Sequence, residues 1–68
     1  MPSPGSEPTL AEVAALRAYL QGGSVKAAAR LLGLAESTVK NHLCDVRRRL
    51  GAKTNAEAVF VLYDRLAA

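Results

Sequence analysis

Between Glu36 and Leu50 the chain carries Ser37, Thr38, Lys40, Asn41, Cys44, Arg47, Arg48 and Arg49, a run of side chains that donate or accept hydrogen bonds. At about 100° per residue, Ser37, Asn41, Cys44 and Arg48 fall on one side of a helix. Lys40 and Arg47 lie on one flank of that side, and Thr38 and Arg49 lie towards the other. Val39, Leu43, Val46 and Leu50 repeat the same i, i+4, i+7, i+11 spacing on the opposite side. An apolar back with an Asn/Lys/Arg front suits the major groove of duplex DNA. Lys and Arg donate there to guanine O6 and N7, and Asn pairs with adenine N6 and N7 together. Catalysis is not expected, because His42 is the only histidine, Cys44 the only cysteine, and no poised carboxylate pair is visible. His42 borders the apolar stripe and is expected to pack there. A single thiol makes no intrachain disulfide and no metal-ligand cluster, so neither metal nor cofactor is expected.

The charge is distributed in the same sense. The 68-residue chain has nine Lys+Arg against six Asp+Glu, a net +3. From Ser24 to Lys53 seven basic residues face two acidic ones, Glu36 and Asp45, while the remainder of the chain is slightly acidic. A basic segment of this kind is the electrostatic footprint of a nucleic-acid reader. The chain has only three aromatics, and none falls on the basic face, which argues against RNA reading by base stacking. No apolar run approaches the roughly 20 residues that span a bilayer, and Met1 to Pro8 is no signal peptide. No membrane partner is expected, and the protein is expected to be cytoplasmic, nucleoid-associated when bound to DNA.

The elements that must position these residues are four short helices around one core, an all-α fold with no strand alternation. The expected helices cover about 9–21, 25–32, 36–50 and 55–66. Residues 1–8 hold all three prolines and read as a disordered arm, leaving 9–68 as the domain. Thr9 and Glu12 have capping-box spacing, and Val13, Leu16 and Leu20 form an apolar stripe on the first helix. Gly22 and Gly23 end it. Ser24 caps the second helix, whose expected inner face is Ala28, Leu31 and Leu32. Gly33 closes it, with Leu34 as an apolar plug under the turn, and Gly51 stops the third helix. Thr54 and Glu57 repeat the capping-box spacing ahead of the fourth helix, where Val59, Leu62 and Leu66 fit the core. The short second helix, a three-residue turn and the third helix make a helix-turn-helix. In that motif the second of the two helices enters the major groove and the first rests across the backbone.

The stretch GLAESTVKNHLCDVRRRLG, followed by NAEAV, resembles the LuxR/GerE-type DNA-binding domain of bacterial transcription regulators. The resemblance runs from Thr9 to about Val59. It includes the first capping box, Gly22-x-Ser24-x-Lys26, Thr38-Val39-Lys40-x-His42-Leu43 and Leu50-Gly51. Sigma-factor region 4 has a similar helical layout and is a near neighbour. The resemblance implies a sequence-specific, double-stranded-DNA-binding transcriptional regulator, with the third helix in the major groove and the fourth forming a homodimer. On that geometry Lys40, Asn41, Cys44 and Arg48 are the expected base contacts, Cys44 a weak one. Ser24, Lys26, Thr38, Arg47 and Arg49 are the expected phosphate contacts. With an arm of eight residues before the first helix, no sensor domain is expected in this chain.

Departures from the family pattern are local. Ala35 stands where a Ser usually caps the third helix, Val25 and Ala27 replace Asn and Glu, and Asn55 stands where Arg is common. Ala11 and Ala14 replace charged residues of the first helix. Ala56, Phe60, Tyr63 and Ala67 recur at helical spacing beside the core stripe of the fourth helix. A second apolar stripe on a terminal helix suggests a homodimer interface, against the plainer reading that Phe60 and Tyr63 cover the first helix. The competing function is an adaptor: a helix-turn-helix scaffold without DNA reading, whose Phe60 face binds another regulator or RNA polymerase.

Overall fold

The computed structural model describes residues 7–67, with side chains described as far as Asp64. Four helices follow one another: α1 (Leu10–Gly22), α2 (Val25–Leu32), α3 (Glu36–Leu50) and α4 (Asn55–Ala67). The expected arm lies mostly outside the described residues, as do the side chains of Leu66 and Ala67.

The caps explain the boundaries. Thr9 precedes α1 in extended conformation, its Oγ1 accepting from the Glu12 N–H at 3.1 Å, while the Glu12 carboxylate accepts from the Thr9 N–H at 3.0 Å. The reciprocal pair satisfies two donors that a helix start leaves open. Gly22 ends α1 against α2: a Cβ there would lie 2.6 Å from the Ala27 Cβ, so only glycine lets the two helices approach this closely. Gly33, at φ 66°, takes the left-handed conformation of the helix-turn-helix turn, and the Leu34 N–H then donates back to the Ala29 carbonyl at 3.0 Å. At α4, Thr54 Oγ1 accepts from the Glu57 N–H at 3.0 Å. The return bond comes from the Lys53 N–H, one residue before the cap, so the expected capping box is only half formed.

Ala35 is the exception. It precedes α3 with the backbone of an N-cap, φ −69° and ψ 149°, and makes no side-chain capping bond. Ala35→Ser is therefore expected to stabilise the domain by about 1 kcal/mol. In a domain of this size that raises the melting temperature by roughly 4–8 °C. Thermal denaturation followed by circular dichroism reads it, and an unchanged midpoint would mean that the first turn is already satisfied by water.

α3 is the central element. Val39, Leu43, Val46 and Leu50 are all buried, as their spacing predicts, with α1, α2 and α4 each packed against α3. Elsewhere the core is built more from alanine than the leucine spacing predicts. On α1 the buried line is Glu12, Ala15, Leu16 and Ala18, with Val13 half-buried and Leu20 51% exposed. On α2 it is Ala28 and Ala29, while Leu31 is 57% exposed. Leu34 is exposed and plugs nothing. On α4 Ala58 is fully buried, and Val59 and Leu62 are only half-buried. The reason is steric. Small residues let packed helices approach closely, and Gly22 against Ala27 sets a short separation between α1 and α2.

Candidate nucleic-acid interface

The buried back of α3 fixes which side is free. Ser37, Lys40, Asn41 and Arg48 are exposed, Cys44 on the same side is half-buried, and Thr38, Arg47 and Arg49 are half-buried at the margins. From Ser37 to Arg48 the free face extends about 16 Å along the helix axis. A helix about 10–12 Å across with its side chains enters a major groove about 12 Å wide. The face the sequence assigns to bases is thus the face the core leaves open.

The three consecutive arginines take three different directions. Arg48 lies along the open face, its Nη2 3.8 Å from the Cys44 Sγ one turn earlier, a contact too long to fix either group. Arg47 Nη1 donates to Asn55 Oδ1 at the start of α4. Asn55, one of the departures from the family pattern, therefore ties α4 to the flank of the open face. Arg49 turns inward, its Nε 3.0 Å from both carboxylate oxygens of Glu12. Glu12 is only 3% exposed. Its carboxylate closes the α1 capping box and pairs with Arg49 together, joining the first turn of α1 to the last turn of α3. A carboxylate this deep needs a cation and hydrogen bonds to be tolerated, and it has both.

Helical spacing alone does not reveal this tie: it puts Arg49 among the phosphate contacts and gives Glu12 only its capping role. The signal was present: Glu12 shares a face with Ala15 and Leu16, so an acid was being carried inside and needed a partner there. At the start of α2 the Ser24 Oγ accepts from the Ala27 N–H at 3.1 Å and Lys26 stands exposed. Ser24 thus stays at the surface with its hydroxyl already used as a cap.

On α4 Phe60 is 77% and Tyr63 64% exposed, and Ala56 is exposed beside them. Phe60 does not cover α1. No described helix is long and apolar enough to cross a membrane, and no group of three or more His, Cys, Asp or Glu among the described residues could hold a metal ion.

The family GerE, bacterial regulatory proteins of the luxR family, matches the chain over residues 9–62, from the α1 cap into α4. No curated protein and no solved structure matches it.

Proposed function

The chain belongs to the luxR family of bacterial regulatory proteins, and on that premise we propose that it is a sequence-specific, double-stranded-DNA-binding transcriptional regulator acting in the cytoplasm. The observation that carries the reading is the division of α3, with an entirely buried apolar back and Lys40, Asn41 and Arg48 exposed together in front. In this reading α3 lies in the major groove, where Lys40, Asn41 and Arg48 meet base edges and Cys44 adds a weak contact. Thr38, Arg47, Lys26 and Ser24 hold phosphates on either side. Arg49 leaves that set, because its guanidinium is committed to Glu12. The protein works as a homodimer through Ala56, Phe60, Tyr63 and Ala67, so that two copies of α3 read half-sites one helical turn apart.

Fluorescence anisotropy of a labelled duplex of unrelated sequence, titrated with the protein across a salt series, tests it. Binding should weaken steeply with salt, since every phosphate neutralised adds about 0.9 to the log–log slope. Selection from a randomised duplex pool should then enrich a two-fold symmetric site. Absence of binding even at low salt would overturn DNA reading in favour of an adaptor whose Phe60 face takes another regulator or RNA polymerase.

A further inference from the structure

We infer that, in the homodimer proposed above and resting on it, Phe60 of each copy seats in the groove between α1 and α4 of the other, with Arg17 of one copy paired to Asp64 of the other. The groove is an open cleft of about 280 Å³ in which Leu16 and Leu20 of α1 face Val59 and Leu62 of α4, with Arg17 and Tyr63 also lining it. Clefts that enclose small organic ligands run to roughly 300–1,000 Å³. This one lies at the small end of that scale, with room for a large side chain.

The side chain that fits stands next to it. Val59 and Tyr63 line both this groove and a shallower concavity that contains Ala56, Phe60 and Asp64. Knob and hole are therefore neighbours on one continuous apolar surface. A two-fold contact needs this arrangement, because each copy must offer both halves of the interface to the other. Enclosing a phenylalanine removes roughly 150–250 Å² from water, which gives the most exposed aromatic of the chain a reason to be there.

Charge selects a second copy over an unrelated apolar partner. Arg17 is the cation of the groove, and Asp64 lies one helical turn beyond Phe60 on the knob. Neither is ion-paired within its own chain among the described residues. When Phe60 enters the groove, its neighbouring carboxylate approaches the Arg17 guanidinium lining it. By symmetry the pair forms twice.

Sedimentation equilibrium of the full chain at low salt tests this with Arg17→Glu, Asp64→Arg and the two combined. Both side chains are exposed, so the variants should keep the wild-type circular dichroism spectrum. Each single reversal sets like charges opposite each other at two symmetric places and should weaken dimerisation about tenfold or more. The double variant restores opposite signs and should return to within about threefold of wild type. If the wild type dimerises and the single variants dimerise equally well, or if the double variant fails to recover, the groove is not the seat and only this inference falls. A wild type that stays monomeric at every concentration overturns the homodimer as well.

Discussion

Replacing Lys40 and Arg48 together by alanine is expected to weaken binding to an unrelated duplex and to flatten its salt dependence, whereas Arg49→Met leaves that dependence unchanged. Both expectations follow from where the cations point. Lys40 and Arg48 are exposed on the open face of α3, so in a groove-bound complex each displaces counterions from the DNA. Losing both should lower the log–log slope by about 0.9 for each phosphate contact that disappears. On a selected site the loss should be larger, since each bidentate base contact is worth about 1–3 kcal/mol of discrimination. Arg49 carries the same formal charge one residue further on, but that charge is neutralised inside the protein by Glu12. Arg49→Met removes an internal pair, so it should lower the unfolding midpoint and leave the slope intact when measured where circular dichroism shows the variant folded. A slope that falls equally for Arg49→Met and for Arg48→Ala would mean that Arg49 leaves Glu12 on binding DNA. The tie between α1 and α3 would then open in the complex.

The contrast among these arginines marks what the sequence made legible. Helical spacing assigns each residue of α3 to a side correctly, because one long helix with a four-residue apolar stripe has a single way to face the core. Val39, Leu43, Val46 and Leu50 are all buried accordingly. Spacing does not say where a long flexible side chain at the margin ends. Arg47 reaches Asn55 and Arg49 reaches Glu12, partners eight and 37 residues away. Those partners are neighbours only once the helices are packed.

Leu16 is buried and Leu32 packs against the core as their spacing predicts, whereas Leu20 of α1 and Leu31 of α2 mislead for a related reason. Val13, Leu16 and Leu20 make a plausible stripe on α1, but the buried line runs through Ala15, Leu16 and Ala18, and Leu20 is left largely in water. Leu31 is displaced outward in the same way by Ala28 and Ala29. Hydrophobicity scales rank leucine above alanine, whereas close approach of two helices ranks them the other way. Gly22 against Ala27 shows how short that approach is. The cost is a core with few large residues, and it determines where the domain is vulnerable.

Leu43→Ala is accordingly expected to unfold the domain, while Leu31→Ala is expected to change its stability by less than about 0.5 kcal/mol. Among the described residues the largest fully buried side chains are Leu16, Leu43, Val39 and Val46. Removing Leu43 deletes one of these four from the centre of α3, beneath the open face. Truncating a buried leucine costs about 2–5 kcal/mol through lost transfer energy and the cavity left behind. The low end of that range requires neighbours that relax into the space. The core that Leu43 belongs to is rich in alanine, Ala15, Ala28 and Ala58 among them, which have no side-chain reach to do so. A single core in a chain this short rarely supplies more than about 3–5 kcal/mol in total, so the variant should be largely unfolded at 25 °C. Urea titration followed by circular dichroism reads both variants, and Leu31→Ala, 57% exposed, should keep the wild-type midpoint. An intact Leu43→Ala would require a stabilising term outside the monomer. The homodimer through Phe60 would supply one, and the midpoint of such a variant should then rise with protein concentration.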